Sequence, residues 1–346
     1  MFNAEQVRAL ARVANVKVVA PTDTAMPSEQ RGGVEVIHPQ FFHIPLVTRP
    51  LNGRLFARAI EPVLRRERFD VVFVTFAYPD AYGVMLLARK YRFPFVTSVL
   101  GSDINVLFRN AFRKRQIMRT LRASATVFAV SDALRRMIAA EGVDAVTLYD
   151  GVDRQTFRKM DRREACRQLG LPESRRRILY AGNLVPIKGP TVLAAAVRNL
   201  PGTVDVDVIF VGSGPEAGRI ATSDRILLVG PRPHEEIPLW MNACDVLCLP
   251  SRNEGTPNIV LEALACGLPV VASRVGGVPE IVRRGENGLL VEPRNERALA
   301  GALQEALETV WDRAKIQDSV RRFDWAENAA RIVAALEDAI HREPRG

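Results

Sequence analysis

Short, continuous runs of apolar residues alternate with amphipathic segments along the chain. In the first half, the runs at 70–75, 95–100 and 125–130 are each followed by a helical pattern, at 80–91, 109–122 and 132–140. Continuous apolar runs of this length are typical of parallel strands that are buried on both faces. The alternation therefore predicts a doubly wound α/β fold with a parallel sheet.

The same alternation resumes after an arginine-rich stretch at 158–177. Further apolar runs lie at 177–181, 208–211, 226–230 and 245–249. The chain has 346 residues, of which 47% are hydrophobic and 25% charged, so it is globular and long enough for two domains. We predict an N-terminal domain over 1–155, a C-terminal domain over 156–323 and a terminal helical segment over 324–346.

The stretch 250–262 follows one of these runs and combines two carboxylates with a predicted helix start. Pro257 suits the first turn of a helix, and Thr256 is placed to cap it. Free N–H groups and the helix dipole would then stabilise an anion such as a diphosphate. Glu262 lies about 7–8 Å along the helix from its start, so Glu254 and Glu262 could bind hydroxyls on opposite sides of that diphosphate. For two glutamates alone, a solvated helix face is the commoner explanation.

The residues around this pair resemble the signature of family 4 of the retaining glycosyltransferases. The resemblance rests on Glu254 and Glu262, on A-L-A-C-G-L-P-V-V-A at 263–272 and on G-G-V-P-E-I-V at 276–282, and it extends over most of the chain. It implies two facing doubly wound, Rossmann-like domains of the GT-B type. A hexose or similar sugar would pass from a nucleotide-sugar in the second domain to an acceptor in the first. Asn183 and the segment L-G-S-D-I at 100–104 also resemble a branch of teichuronic-acid and exopolysaccharide enzymes.

The resemblance also implies the reaction and its partners. The donor would most often be a UDP-sugar, and the acceptor a lipid-linked compound or a glycan in surface polysaccharide synthesis. Transfer would retain the anomeric configuration by front-face displacement, without a metal cofactor. Two alternatives remain at this stage: a non-catalytic or truncated binding protein of the same fold, and a sugar-nucleotide epimerase.

Individual donor-side residues take roles from the resemblance. Glu254 would hold the donor sugar as charge develops at its anomeric carbon, and Glu262 would hold the ribose. Lys188, in a loop before a helix, would place its charge on the diphosphate, although a surface lysine is the simpler reading of that residue alone. The other predicted donor-binding residues are Asn183, Gly212, Arg232, Gly255, Thr256, Pro257, Asn258 and Ile259.

The acceptor side is predicted at Gly101, Ser102 and Asp103. These residues directly follow the apolar run at 95–100, where doubly wound sheets bind their ligands. Asp103 is the titratable group of this loop, and we expect it to contact the acceptor and take part in catalysis. A helix cap for the segment that follows is an equally good explanation.

The chain departs from the family pattern at its beginning and at two further positions. It opens with a predicted helix over 2–13 and a strand over 16–20, whereas relatives usually start one strand earlier, with a glycine-bearing loop. The first strand of the N-terminal domain is therefore predicted to be missing, which puts activity of the chain as written in question. Asn183 stands where most relatives have arginine, and Asp150 where asparagine is usual.

The net charge of +9 lies almost entirely in the first half, where 21 Lys and Arg face 13 Asp and Glu over residues 1–150. In the segment 109–122, Phe112, Ile117, Met118 and Leu121 are predicted to form an apolar stripe beside basic residues, as in a helix lying on an anionic membrane. A solvated basic face on a helix that packs against the protein's own sheet is an equally good explanation, and nucleic acid binding lacks a supporting motif.

No apolar run is long enough to span a membrane, and no signal-peptide pattern is present, so we expect a cytoplasmic protein with peripheral membrane contact. The Asp205-Val206-Asp207 triplet has the DxD form of a metal motif, but we predict no metal site there because it precedes its strand.

Overall fold

The computed structural model describes residues 4–24, 26–42, 51–201, 205–220 and 225–342. The chain divides into two compact units, one of Met1–Asp150 with Trp325–Gly346 and one of Gly151–Asp324. The predicted boundaries lie at 155 and 323, whereas the structure divides the chain at 150 and 324, and the terminal segment groups with the first unit. The predicted segments 2–13 and 324–346 each extend beyond the described residues.

The first unit contains two sheets. A small sheet is formed by β1 (Lys17–Val19), β2 (Glu29–Arg31) and β3 (Val34–Ile37) in the order β1-β3-β2. The main sheet is parallel and consists of β4 (Val72–Thr75), β5 (Phe95–Val99), β6 (Val127–Ala129) and β7 (Val146–Thr147) in that order. The helices of this unit are α1 (Ala4–Ala11), α2 (Asn52–Arg66), α3 (Tyr82–Tyr91), α4 (Ser102–Asn105), α5 (Ala111–Ala123), α6 (Asp132–Ala139) and α14 (Trp325–His341).

Every residue of β5 is buried, as its continuous apolar run predicts. Val99 belongs to one core cluster with Met85 of α3 and Ile117 of α5. Val96, three residues earlier, belongs to another with Ile332 of α14. Neighbouring side chains of a strand point to opposite faces, so the main sheet has helices packed on both sides.

Three of the four apolar residues predicted for a membrane-facing stripe on α5 are core residues instead. Ile117, Met118 and Leu121 are all buried in the cluster that packs on β5. Phe112 alone of the predicted stripe is exposed. The prediction was wrong for these three because an amphipathic period looks the same whether its apolar face covers a sheet or a bilayer.

The second unit is built on a six-stranded parallel sheet in the order β10-β9-β8-β11-β12-β13. Its strands are β8 (Arg176–Ala181), β9 (Val206–Val211), β10 (Ile226–Gly230), β11 (Val246–Leu249), β12 (Val270–Ser273) and β13 (Gly288–Val291). Its helices are α7 (Arg162–Leu169), α8 (Pro190–Arg198), α9 (Ile237–Ala243), α10 (Asn258–Ala265), α11 (Val278–Ile281), α12 (Glu296–Glu308) and α13 (Arg313–Asp318). The predicted strand and helix alternation is confirmed in both units.

Candidate active site

The strand order of the second unit reverses between β8 and β11. From β8 the chain proceeds outward to β9 and β10, and from β11 it proceeds to β12 and β13 on the other side. Ligands of open α/β sheets bind outside the carboxyl ends of the strands at such a point. The loops 182–189 and 250–257 follow these two strands, so the topology brings the predicted phosphate and sugar residues to one place.

Close backbone contacts hold the loops of this site together. A Cβ atom on Gly212 would lie 1.9 Å from the carbonyl oxygen of Gly182, and one on Gly276 would lie 1.9 Å from the carbonyl oxygen of Glu254. Both glycines also have positive φ angles, 139° and 52°. Only glycine satisfies both conditions, so Gly212 shapes the site through its backbone and Gly276 fixes the loop that carries Glu254.

Lys188 and Glu254 form an ion pair at the centre of the site. The Lys188 Nζ atom lies 2.8 Å from each carboxylate oxygen of Glu254. The Glu254 side chain is only 6% exposed, whereas Lys188 is 35% exposed. The N–H of Arg252 donates to the carbonyl of Ile187 at 2.8 Å, which joins the two loops beside the pair. The two residues predicted for the diphosphate and the sugar are thus direct neighbours.

Tyr180 lies at the end of β8, next to this pair. Its hydroxyl donates to the carbonyl oxygen of Asn183 at 2.8 Å. Burial, followed by the negative charge of Glu254, raises the pKa of Tyr180, so the hydroxyl remains a hydrogen-bond donor. Asn183 itself is exposed.

The second predicted carboxylate, Glu262, has a partner that we did not predict. The Nε2 atom of His234 lies 2.9 Å from Glu262 Oε1. His234 begins a single 3-10 turn that follows β10, and its ring packs on Phe157 with centroids 5.0 Å apart. Glu262 is 12% exposed and His234 53% exposed. One feature of the sequence could have indicated His234, because it follows the carboxyl end of a predicted strand, where ligands of such sheets bind. Arg232, the residue predicted there, lies 3.9 Å from Glu236.

Helix α10 begins one residue later than predicted. Pro257 occupies the N-cap position with φ −79° and ψ 106°, so the cap predicted at Thr256 is wrong. Asn258 and Ile259 open the helix, and N–H groups in a first turn have no partner within the helix. Two buried polar atoms nearby, Ser251 Oγ and Asn258 Oδ1, have no hydrogen-bond partner in the part of the chain that the structure describes. Buried polar atoms without a partner are costly, so a ligand that pairs with them would be stabilised here.

In the first unit, Asp103 is fully buried and bonded to backbone. Its carboxylate accepts from the N–H of Ala77 at 2.9 Å, of Gly101 at 2.8 Å and of Leu100 at 3.2 Å. Burial raises the pKa of Asp103, and these amides oppose that shift. Gly101 rather than Asp103 stands at the N-cap of α4, so the alternative of a helix cap is wrong. Any effect of Asp103 on an acceptor is indirect in this arrangement, through the backbone of the loop that also exposes Ser102.

The loop that Asp103 ties down, after β4, was not singled out from the sequence. Phe76 has φ 83° and ψ 113°, which is a strained conformation for a residue other than glycine. Asp80 lies in the irregular turn that follows. Burial, followed by the negative charge of Asp103, raises the pKa of Asp80 to about 7. A strained backbone and a perturbed carboxyl group at the carboxyl ends of β4 and β5 mark this loop as a candidate functional surface.

The Asp205-Val206-Asp207 triplet is paired with arginines. Arg175 binds Asp207 through two nitrogens and lies 3.2 Å from Asp205, which also lies 3.4 Å from Arg225. Asp207 is part of β9, not of a loop before it. Within the described ranges, no group of three or more His, Cys, Asp or Glu side chains is placed to hold a metal ion.

Comparison with known proteins decides the family. Residues 2–156 match the model described as Glycosyltransferase Family 4, and residues 175–309 match that of Glycosyl transferases group 1. A D-inositol 3-phosphate glycosyltransferase from Stackebrandtia nassauensis is 33% identical over 325 residues, which cover 84% of this chain and 72% of the relative. The chain belongs to family 4 of the glycosyltransferases.

A second relative of this family-4 glycosyltransferase covers almost the whole chain. It comes from Bacillus subtilis (strain 168), its name proposes a teichuronic acid biosynthesis glycosyltransferase, and it is 28% identical over 343 residues, 95% of this chain and 85% of the relative. The fold resembles that of HepE from Anabaena, solved in complex with UDP and glucose, with a TM-score of 0.77 at 22% identity over 97% of this chain and 96% of HepE. The predicted class of two α/β domains of the GT-B type is thereby confirmed.

The family assignment confirms the predicted enzyme class, a hexosyltransferase-type glycosyltransferase of polysaccharide or glycan synthesis. It disfavours the epimerase alternative, because the matches cover both halves of the chain and carry the glycosyltransferase description in each.

Proposed function

We propose that this glycosyltransferase transfers a sugar from a UDP-sugar to a lipid-linked or glycan acceptor, with retention of the anomeric configuration. The observation that carries the proposal is the Lys188–Glu254 pair, which lies beside the N-terminus of α10 at the point where the strand order reverses. A cation, a buried carboxylate and the first N–H groups of α10 meet there. That combination suits a ligand that carries both hydroxyls and a diphosphate.

Each part of the donor has a counterpart in this site. The diphosphate is bound by Lys188 and by the amides of Thr256, Asn258 and Ile259. Glu254 accepts hydrogen bonds from the hydroxyls of the transferred sugar, because an ionised carboxylate only accepts. Glu262 binds the ribose, and the base lies toward Arg232. The presence of UDP and glucose in HepE, which shares this fold, supports a donor of this class.

The reaction follows from the same charges. As the bond to the leaving diphosphate breaks, negative charge grows on the phosphate and positive charge on the anomeric carbon. We propose that Lys188 and the helix amides stabilise the first, and that the Glu254 carboxylate, which Lys188 holds in place, stabilises the second. Because Glu254 is held by Lys188, we propose direct front-face displacement by the acceptor hydroxyl rather than a covalent glycosyl-enzyme.

We propose that these groups make transfer independent of a metal ion. Lys188 and the α10 amides supply the positive charge that a divalent cation provides in other enzymes, and the DxD triplet is engaged by Arg175. Transfer should continue unchanged in EDTA. Loss of activity that manganese restores would contradict this part of the proposal.

The acceptor is proposed to bind the first unit, at the loops that follow β4 and β5. Gly101 and Ser102 lie in the loop that follows β5. The Asp103 carboxylate accepts from the N–H of Gly101 and from that of Ala77, and so connects this loop with the loop that follows β4. Asp103 then contributes by positioning these backbones.

Membrane contact is proposed for the starts of α2 and α5. The two starts meet at Tyr78, whose hydroxyl accepts from the N–H of Gly53 at 3.1 Å and whose ring lies 3.8 Å below the Arg113 guanidinium. Around this point apolar and basic side chains are exposed together: Leu51, Arg54, Val106, Arg109, Phe112 and Arg115. Such a surface suits an anionic bilayer that holds a lipid-linked acceptor. No helix in the described part of the chain has the length and apolar content that crossing a bilayer requires.

The experiment that tests the proposed function is a transfer assay with a panel of UDP-sugars and lipid-extract acceptors. We expect one donor to release UDP only when acceptor is present, and the new linkage to keep the donor's anomeric configuration by NMR. An inverted linkage would overturn the retaining mechanism. A donor isomer formed without acceptor would instead support an epimerase.

A further inference from the structure

His234 is held in place from two sides. Its Nε2 atom lies 2.9 Å from Glu262 Oε1, and its ring packs at 58° against the buried ring of Phe157. Glu262 is nearly buried on α10, whereas His234 remains about half exposed. The imidazole therefore has one edge on the carboxylate and one face on Phe157, and about half of the side chain is exposed.

The contact determines how Glu262 can bind a ligand. A glutamate carboxylate turns about its last bond, and a buried carboxylate is costly without a hydrogen-bond donor. The imidazole supplies that donor whether it is neutral with the proton on Nε2 or protonated. With Oε1 engaged, the carboxylate is restricted to one orientation, and Oε2 keeps its capacity for incoming hydroxyls. The ordering of Glu262 is thus achieved before a ligand arrives.

We infer that His234 is a positioning residue for the ribose of the donor. It orients Glu262 so that the carboxylate meets the 2′ and 3′ hydroxyls together, which makes the site selective for ribonucleoside over deoxyribonucleoside diphosphates. This inference rests on the proposed function, because it takes Glu262 as the ribose ligand. The inference adds His234, which is 28 positions from Glu262 in sequence, to the proposed donor site. It also adds a preference for ribonucleotides that the two glutamates alone do not predict.

The test measures dissociation constants of UDP and 2′-deoxy-UDP for four proteins by calorimetry. We expect the wild type to prefer UDP by about tenfold or more, the fold-change for a lost hydrogen bond to a charged group. His234→Ala should weaken UDP by about tenfold and change 2′-deoxy-UDP by less than about twofold, so that the preference disappears. His234→Gln, whose side-chain N–H can reach Glu262, should keep most of the preference. Glu235→Gln, an exposed change in the same turn, is the matched control and should behave as wild type.

The outcomes separate this inference from its premise. If His234→Ala weakens both nucleotides by the same factor, the ring acts as a general support and the inference is overturned. If the preference for UDP survives in His234→Ala, the inference is overturned as well. If the wild type binds neither nucleotide, the proposed donor class itself fails. The melting temperature of each variant shows whether it is still folded. If His234→Ala is not folded, the UDP preference of His234→Gln tests the inference instead.

Discussion

Replacing Lys188 by methionine should expose the dependence of the site on its ion pair. The change keeps an apolar side chain of similar length and removes the positive charge that pairs with Glu254, a carboxylate that is only 6% exposed. Removing one partner of a fully buried pair costs about 3–5 kcal/mol. Because Lys188 is 35% exposed, water already screens part of this interaction, and we expect a loss of about 2 kcal/mol in the free energy of unfolding. That corresponds to a melting temperature lower by about 4–8 °C for a domain of this size.

The partner substitution should cost less. Glu254→Gln leaves an ammonium group that water can reach, so we expect a loss of about 1 kcal/mol. The double variant Lys188→Met with Glu254→Gln should be more stable than Lys188→Met alone, since no buried charge is left uncompensated. Lys90→Met is the matched control, because it removes an exposed lysine from the Glu61 pair and should leave the melting temperature close to that of wild type.

Thermal unfolding of these proteins, followed by circular dichroism, checks the order. Nucleotide binding is an independent measurement. Lys188→Met should weaken the affinity for UDP by about tenfold or more. Glu254→Gln should bind UDP at least as well as wild type and still lose sugar transfer. A melting temperature for Lys188→Met within about 1 °C of the wild-type value would refute the reasoning, because the expected shift is several times larger. So would a double variant no more stable than Lys188→Met.

Three further predictions concern a glycine, the carboxyl group of Asp150 and the basic surface. Gly276→Ala should lower both the melting temperature and UDP affinity, because its Cβ would lie 1.9 Å from the Glu254 carbonyl oxygen; Gly301→Ala, with open space around it in α12, should be neutral or stabilising by up to about 1 kcal/mol. Burial raises the pKa of Asp150 to about 7, above the ordinary value near 3.8, so folding favours its neutral form and stability should fall as pH rises between those values. Asp150→Asn should therefore raise the melting temperature by a few degrees at pH 8 and hardly at pH 4, and equal gains at both would contradict this cause. Phe112→Ser combined with Arg115→Gln should weaken flotation with anionic vesicles, while neutral vesicles serve as control and unchanged flotation would remove the membrane proposal.

The sheets could be predicted from the sequence because their physics is local. A parallel strand buried on both faces, such as β5, needs a continuous apolar run, and few other elements produce one. The start of α10 shows the limit of local rules. Pro257 suits both the first helical turn and the position before it, and its ψ of 106°, which the surrounding loops determine, places it before the helix.

The contacts that define the site were less accessible from sequence. His234 and Glu262 are brought together by the packing of two loops, and neither segment alone signals the other. Asp103 has the same sequence pattern whether it contacts an acceptor, caps a helix or binds backbone amides, and only its burial decides among these roles. The glutamate pair could be recognised because the family signature surrounds it, whereas the Lys188–Glu254 contact depends on how the loops after β8 and β11 meet.

The central claim is that the second unit binds a uridine nucleotide between Lys188 and Glu262. A thermal-shift panel of UDP, GDP and ADP on the wild type and on Glu262→Ala tests it most directly. A nucleotide at 100 times its dissociation constant stabilises its protein by about 2.7 kcal/mol, which should raise the melting temperature by several degrees. We predict such a shift with UDP for the wild type and its loss in Glu262→Ala. No shift with any nucleotide, or a shift that survives in the variant, would contradict the account.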